Sequence, residues 1–196
     1  SSHYYYKQQV SSIKNNFAYV KDDWLKIYDI PSEADNYIKY TLCRALEIYR
    51  NIKNDKAILN LEYNTQFFEY LLPYIKANDT IIKNDDYIAM HYYEIMLNTD
   101  KKDDYYYKLK EVKNKLISRL SEETIRNLYI TLVNYCIRKT NSGYEEFRAE
   151  RFELDKEIME YDIHNKHEYY DMNYFLSSVR NSVSLNQPGW AETFIE

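Results

Sequence analysis

Hydrophobic positions along the chain recur at spacings of three and four residues, the period of an amphipathic helix. The first stripe of this kind runs from residue 6 to residue 27. It comprises Tyr6, Val10, Ile13, Phe17, Val20, Trp24 and Ile27. The pattern predicts one long helix whose apolar face needs a partner, either within the chain or outside it. If no other helix of the chain covers this face, we expect it to be a self-association surface.

Seven further stripes follow, separated by polar or turn-forming stretches. Pro31 predicts the end of the first helix, Ser32 and Ser121 are predicted N-caps, and Pro73 is predicted to kink or end its helix. Breaks are predicted at "KNDK" (53–56), at 77–86 and at "TNSG" (140–143).

The seven stripes consist of the following apolar residues. The first three are Ile38, Leu42, Ala45, Ile48 or Tyr49, and Ile52, then Leu61, Phe68, Leu71, Leu72 and Ile75, then Ile88, His91, Tyr92, Ile95 and Met96. They continue with Tyr105, Leu109, Val112, Leu116 and Leu120, then Ile125, Leu128, Tyr129, Leu132, Val133, Cys136 and Ile137. The last two are Tyr144, Phe147, Leu154, Ile158 and Tyr161, and Met172, Phe175, Leu176, Val179 and Val183.

The composition supports the helical prediction. The chain has only 2 Gly and 3 Pro among 196 residues, whereas a many-stranded β fold needs such residues at its turns. No segment shows a period of two. We therefore predict an all-α protein of about eight to nine helices.

The second half of the chain shows internal similarity. A shift of 46 residues aligns residues 127–147 with 173–194 and matches Tyr129 with Phe175 and Gly143 with Gly189. A shift of 42 residues matches Ile88 with Ile130. Periods of this length are typical of two-helix repeats. The chain thus resembles α-solenoid repeat proteins of the tetratricopeptide or HEAT type.

The resemblance implies antiparallel helical hairpins stacked as a short right-handed solenoid; the alternative is an irregular helical bundle. We expect N-terminal helices in residues 1–84, with a long first helix and two more, and hairpin repeats in residues 85–196. The two segments are expected to form one structural domain. On this alignment the last repeat is truncated, so the chain is expected to be a piece of a longer protein.

Charge and the 24 tyrosines bear on possible partners. The net charge is −5, with acidic and basic residues interleaved, so no nucleic-acid partner is expected. The tyrosines have two interpretations, which are stacking platforms for ligands and half-buried residues supplied by AT-rich codons. We favour the second, because a ring with a hydroxyl suits the seam between two helices.

Candidate chemistry is sparse. Cys43 and Cys136 lie on predicted apolar faces and are expected to be buried free thiols, and His91 is expected to be a core or seam histidine. Glu160, His164, His167, Glu168 and Asp171 have loose ligand spacing, but the surface of a polar helix often shows it, so no metal is expected. Without a nucleophile–base pair or a Gly-rich phosphate loop, we expect no catalytic residue, no cofactor and no enzyme activity.

The leading hypothesis is a non-catalytic scaffold that binds an unidentified protein or peptide through exposed aromatic anchors. The weak candidates for such anchors are Trp24, Tyr93, Tyr135 and Trp190. Two alternatives are the helical part of a larger enzyme, whose active site lies mostly elsewhere, and single-stranded RNA binding by tyrosine stacking. No apolar run is long enough to span a membrane, and we expect a cytoplasmic location.

Overall fold

The structure, a computed structural model, describes residues 2–20, 30–59, 62–161 and 172–195. These residues contain ten α-helices and no strand, which confirms the all-α prediction. The helices are α1 (Ser2–Val20), α2 (Ile30–Leu59), α3 (Gln66–Ala77), α4 (Asp79–Lys83), α5 (Asp86–Thr99), α6 (Asp103–Leu116), α7 (Glu122–Asn141), α8 (Glu146–Glu160), α9 (Met172–Ser184) and α10 (Pro188–Ile195). A short 3-10 helix, Ile117–Arg119, follows α6.

The chain divides into two compact units, Ser1–Lys101 and Lys102–Glu196. The sequence pattern had placed its boundary between residues 84 and 85. The first unit extends past that point because α5 packs against α2 and α4. Two side-chain contacts hold α5 there, as Tyr4 of α1 donates to Asp85, and Arg50 of α2 lies 3.0 Å from Glu94.

Helix α1 packs against α2, and the predicted positions Phe17, Val20, Trp24 and Ile27 lie outside the described side chains. Tyr4 is buried, whereas Tyr6 is 71% exposed and Ile13 is 55% exposed, so the predicted inward stripe is wrong for these residues. Tyr4 turns inward because its hydroxyl reaches the Asp85 carboxylate, which also caps α5. The exposure of Tyr6 and Ile13 leaves self-association through α1 as a prediction.

Helix α2 is longer than predicted. It begins at Ile30 with Pro31 in its first turn, so Ser32 is a helical residue and not an N-cap. It continues through "KNDK", because residues 32–59 contain no Gly or Pro to end it. Among its side chains up to Lys53, Cys43, Leu46 and Tyr49 are buried, while Ile38 is exposed.

The region between α2 and α5 also differs from its prediction. Helix α3 runs through Pro73 to Ala77 and buries Phe68, Leu71 and Ile75. The predicted connection at 77–86 contains α4, whose Ile82 is buried. Helix α5 has the predicted buried face, including His91.

In the second unit, α6 packs on α7, α7 on α8, α8 on α9 and α9 on α10. Ser121 caps α7 by accepting from the Thr124 N–H, as predicted. The predicted stripes of α6 and α7 are buried over most of their length. The predicted α8 stripe is not buried at its two ends, where Tyr144 and Tyr161 are exposed.

Two turns of the same kind connect α7 to α8 and α9 to α10. Gly143 has φ 92° and Asn186 has φ 57°, both in the left-handed region. In each turn the next N–H bonds a carbonyl five residues back, Tyr144 to Lys139 at 3.1 Å and Gln187 to Ser182 at 2.9 Å. The left-handed residue of the second turn is thus Asn186, whereas Gly189, which the sequence comparison matches with Gly143, lies in the first turn of α10.

Three carboxylates connect α6, α7 and α8, and each binds one tyrosine hydroxyl and one lysine ammonium. We call these sites carboxylate bridges. Asp103 accepts from Tyr135 at 2.5 Å and from Lys139 at 2.8 Å, and Glu150 accepts from Tyr106 at 3.1 Å and from Lys110 at 2.7 Å. Glu157 accepts from Tyr129 at 2.7 Å and pairs with Lys113. Tyrosines thus lie in helix seams, as the sequence predicts.

Helix α9 buries small polar side chains instead of its predicted apolar stripe. Ser178, Asn181 and Ser182 are buried, whereas Leu176 and Val183 are exposed. The buried groups keep hydrogen bonds, since Asn181 donates to the Arg148 carbonyl at 3.1 Å and Ser182 to a carbonyl of its own helix. Because these side chains are small and satisfied, α9 packs on α8 without a continuous apolar face.

Candidate functional site

An open groove of about 460 Å³ lies between α7 and α9 in the second unit. Both helices pack against α8, which contributes Ile158 to the floor. The lining is mainly apolar and consists of Ile130, Val133, Asn134, Ile137, Ile158, Asn173, Tyr174 and Ser177. We call it the α7–α9 groove. Its volume is within the range of sites that bind small ligands or single side chains of a partner.

Ile130 is the most unusual residue of the groove. It lies in the middle of α7 and is 45% exposed, although it is a large aliphatic side chain. An isolated exposed isoleucine is ordinary, but this one lines a cavity together with Val133 and Ile137. The groove is thus a concave apolar surface open to water.

A buried ion pair lies behind the α9 wall of the groove. Asp155 and Arg151, one turn apart on α8, are both buried, and Asp155 Oδ2 lies 3.6 Å from Arg151 Nε. Tyr174, which lines the groove, donates its hydroxyl to Asp155 Oδ1 at 3.0 Å. Ser177, also in the lining, lies 2.7 Å from Arg151 Nη2. The wall is therefore fixed to buried charges by two side-chain hydrogen bonds.

The pKa of the Asp155 carboxyl group lies above its ordinary value. Burial raises its pKa to about 6, against the charge of Arg151 and the hydrogen bonds of Tyr174 and Ser178, which lower it. Burial also raises the pKa of the Tyr174 hydroxyl, and the neighbouring Asp155 charge adds to this effect. Near neutral pH the carboxylate is thus close to the range in which it takes up a proton.

The structure packs each of the three described aromatic anchors against neighbours within its own unit. Tyr135 is only 2% exposed, since it stacks on Tyr106 and meets the edge of Phe147. Trp190 is half-buried against Phe152 and Phe194 in the second unit. Tyr93 is half-buried beside Tyr92 in the first unit. None of these three lines the groove, and Trp24 lies outside the described residues.

Sequence reasoning missed the groove for an identifiable reason. The predicted α7 stripe includes Val133 and Ile137, which do line it, but not Ile130. Ile130 extends the apolar arc of α7 beyond the width that one packing partner covers. This widened apolar arc was the signal that could have revealed the groove. In the sequence, Ile130 stood out only because a shift of 42 residues matches it with Ile88.

The other candidate chemistry has a structural explanation where it is described. Cys43 and Cys136 are free and buried, as predicted, and burial raises their pKa values to about 12 and about 11. His91 is buried with Nδ1 3.4 Å from Glu94 Oε2. Among the described residues no group of three potential ligands is placed to hold a metal ion. His164, His167, Glu168 and Asp171 lie outside those residues.

A second exposed apolar surface lies on α3 in the first unit. Phe67, Tyr70 and Tyr74 follow one another at three and four residues and are all exposed, while Phe68 and Leu71 face inward. This surface lies on a single helix, whereas the α7–α9 groove is formed by side chains of three helices. It is therefore a weaker candidate site than the groove.

None of the helices in the described ranges combines the length and the apolar character that crossing a bilayer requires. The sequence matches no protein-family model. It also has no significant match to a curated protein or to a solved structure.

Proposed function

We propose that the chain is a non-catalytic binding module whose α7–α9 groove holds a peptide segment of a partner protein. The observation that carries this proposal is the exposure of Ile130 within a concave apolar lining. Covering such a surface removes apolar area from water, at about 25 cal/mol per Å². A partner that inserts one or two aliphatic side chains would gain this energy without displacing any packed residue.

The polar groups of the lining favour a peptide over a purely apolar ligand. Asn134 is exposed at the groove and carries a carboxamide, which has both donors and an acceptor. A peptide unit offers the complementary pair of groups. The groove therefore matches a segment that presents aliphatic side chains downward and keeps part of its backbone near Asn134.

The two hairpins of the second unit support the further proposal that they are successive helical repeats. Each joins its helices by a left-handed turn with the same backbone hydrogen bond, at Gly143 and at Asn186. On this proposal α7 and α9 are the first helices of neighbouring repeats, and the groove lies between them. The buried free thiols support a reducing compartment such as the cytoplasm.

The proposal is tested by selecting peptides on the protein. A display library of random 16-residue peptides is panned on the immobilised full chain, and enriched peptides are synthesised with a fluorescent label. Their affinities for the wild type and for Ile130→Asp are compared by anisotropy. We expect at least tenfold weaker binding to the variant, because a carboxylate in the groove must be desolvated.

Ile38→Asp is the matched control, because Ile38 is an exposed helical isoleucine in the other unit. Circular dichroism must show that both variants keep the helical content and melting temperature of the wild type. Peptides that bind Ile130→Asp as tightly as the wild type would contradict the proposal. So would a selection that enriches no peptide above its scrambled version.

A further inference from the structure

We infer that the outward face of helix α2 is the contact surface of a two-fold symmetric dimer, in which the α2 helices of two copies pack antiparallel and meet at Thr41. The inference goes beyond the proposed peptide binding, because it concerns the first unit and a second copy of this chain. We call this face the α2 stripe and define it by the following residues: Ile30, Ala34, Tyr37, Thr41, Ile48 and Ile52.

The α2 stripe follows from the spacing of its residues along the helix. At about 100° per residue, all six side chains fall within an arc of about 60° on one side of α2. The buried residues Cys43, Leu46 and Tyr49 centre on the opposite side. Helix α2 thus has two apolar faces, and the packing of the first unit covers the inner one.

The outer face is open to water along its length. Ile30, Tyr37 and Ile48 each keep at least 39% of their surface exposed, and the smaller residues Ala34 and Thr41 are exposed between them. Single exposed apolar residues are ordinary on a monomer, whereas a continuous row of them on one helix marks an interaction surface. The α2 stripe is such a row.

The positions of the α2 stripe are symmetric about Thr41. Ile30 and Ile52 lie eleven residues to either side of it, and Ala34 and Ile48 lie seven residues to either side. When two copies pack antiparallel about a two-fold axis at Thr41, Ala34 faces Ile48 of the second copy, so that a small side chain meets a large one. A parallel pair would place Ile48 against Ile48 and Ala34 against Ala34, which crowds one end and leaves a gap at the other. The stripe is therefore self-complementary in the antiparallel direction.

Arg44 is a charged residue at the edge of the α2 stripe, and the antiparallel arrangement gives it an aromatic partner. Its backbone position then lies about 1.5 Å along the helix axis from that of Tyr37 in the second copy, on the same edge of the contact. A guanidinium is attracted to the face of a tyrosine ring. Arg44 keeps its ion pair with Glu47 of its own chain, at 3.0 Å, so its charge stays balanced in the dimer.

The size of the α2 stripe is sufficient for a weak dimer. Residues 30–52 span about 33 Å at a rise of 1.5 Å per residue, and the outer third of a solvated helix of that length covers roughly 500 Å². Two copies together would bury about 1,000 Å², which is at the low end for specific protein–protein interfaces. Helix α1 exposes a shorter apolar row among its described side chains, with Tyr6 and Ile13 seven residues apart. The longer row on α2 is therefore the better surface for a contact between copies.

Sedimentation equilibrium of the full chain, from about 1 to about 300 µM, tests the inference. We expect a dimer with a dissociation constant on the order of 10–100 µM. Ile48→Asp is expected to weaken the dimer about tenfold or more, because two carboxylates must lose water at the contact. Ile130→Asp is the matched control, since Ile130 is an exposed helical isoleucine of the second unit, and it is expected to leave the dissociation constant unchanged. Circular dichroism must show that both variants keep the helical content of the wild type.

Cysteine cross-linking tests the direction of the pair. Chains with Ala34→Cys or Ile48→Cys are oxidised with copper phenanthroline, separately and as an equal mixture. The mixture is expected to cross-link faster than either variant alone, because position 34 faces position 48 of the second copy. Thr41→Cys, at the two-fold axis, is expected to cross-link with itself. The native thiols Cys43 and Cys136 are buried, so the wild type measures the background.

Three outcomes would overturn the inference. The first is a chain that stays monomeric at about 300 µM and is not cross-linked through Thr41→Cys, which leaves the α2 stripe to a different partner. The second is a dimer that Ile48→Asp does not weaken. The third is faster cross-linking of Ala34→Cys and Ile48→Cys each with itself than in the mixture. The proposed groove is tested separately, since peptides selected for it are expected to bind Ile48→Asp as tightly as the wild type.

Discussion

The hydroxyl of Tyr174 lies 3.0 Å from Asp155 Oδ1, and this hydrogen bond joins the wall of the α7–α9 groove to a buried carboxylate. Tyr174 is thereby held against α8 by a partner that has no exposed surface. When Asp155 takes up a proton, the Tyr174 hydroxyl faces a neutral carboxylic acid in place of a carboxylate. The position of the wall and the titration of this one group are therefore physically linked.

The first prediction concerns the pH dependence of stability. The pKa of Asp155 is about 6 in the folded protein and about 4 in the unfolded chain. Between these values the folded state binds more protons, so the free energy of unfolding falls as pH rises, by up to about 1.4 kcal/mol per pH unit. The contribution is fully present below pH 4 and absent above pH 6.

Asp155→Asn removes this contribution. The variant is expected to lose more stability relative to the wild type at pH 4 than at pH 7. The two losses are expected to differ by roughly 2–3 kcal/mol. Urea unfolding at several pH values measures the difference. Asp79→Asn is the control, because Lys83 lowers the pKa of Asp79 by hydrogen bonding and charge, so any effect there has the opposite sign. Parallel curves for wild type and Asp155→Asn would refute the prediction.

The second prediction tests the tyrosines of the carboxylate bridges. Tyr106→Phe removes the hydroxyl that donates to Glu150 from a fully buried ring. We expect a loss of about 1 kcal/mol in the free energy of unfolding. Tyr107→Phe, at an adjacent residue that is 48% exposed, is expected to change stability by less than about 0.5 kcal/mol. Equal effects at the two positions would show that the bridge hydroxyl contributes nothing.

The third prediction concerns the buried ammonium of Lys113. Burial lowers its pKa, against the hydrogen bond and charge of Glu157, which raise it. Lys113→Met leaves Glu157 with Tyr129 alone and is expected to cost about 2–3 kcal/mol. Lys115→Met breaks an exposed pair with Glu111 and is expected to cost less than about 1 kcal/mol.

A double-mutant cycle with Glu157→Gln separates the Lys113–Glu157 pair from other effects of the substitution. The loss of stability in the double variant is expected to be smaller than the sum of the two single losses. The difference, which is the coupling energy, is expected to be about 1–2 kcal/mol. Strictly additive losses would mean that the lysine stabilises the fold only by packing its stem.

The fourth prediction distinguishes the two glycines that the sequence alignment had treated as equivalent. Gly143→Ala places a Cβ on a residue with φ 92° and is expected to destabilise the protein by about 1 kcal/mol. Gly189 lies in a helical turn with open space around its Cα, so Gly189→Ala is expected to be neutral or to stabilise by up to about 1 kcal/mol. Thermal denaturation of both variants is sufficient, and equal destabilisation would contradict this prediction.

The sequence predicts element type well wherever local periodicity decides it. Helix α7 has its predicted cap at Ser121 and most of its predicted buried face, because both depend on residues close in the chain. Helix α1 does not, because the inward turn of Tyr4 depends on Asp85, 81 residues away. Periodicity can place residues on a face, but long-range hydrogen bonds decide which face is buried.

The candidate site was harder to predict for the same reason. The groove exists because α7 and α9 both pack on α8 and leave a space between them, which no single helix reveals. The burial of Ser178 and Ser182 in α9 also runs against hydropathy and follows from close packing on α8. Aromatic residues such as Tyr135 were predicted as anchors from their type alone, whereas their hydroxyl partners place them inside the fold.

The carboxylate bridges give the second unit an unusual response to alkali. Burial raises the pKa values of Tyr106, Tyr129 and Tyr135, and the neighbouring carboxylates raise them further. A phenolate would face a negative charge across each bridge, so these rings keep their protons for as long as the fold persists. Their stabilisation is complete below pH 10 and declines above it. These three rings should therefore ionise together with loss of helix, so that their ionisation and the unfolding of the second unit form one cooperative event.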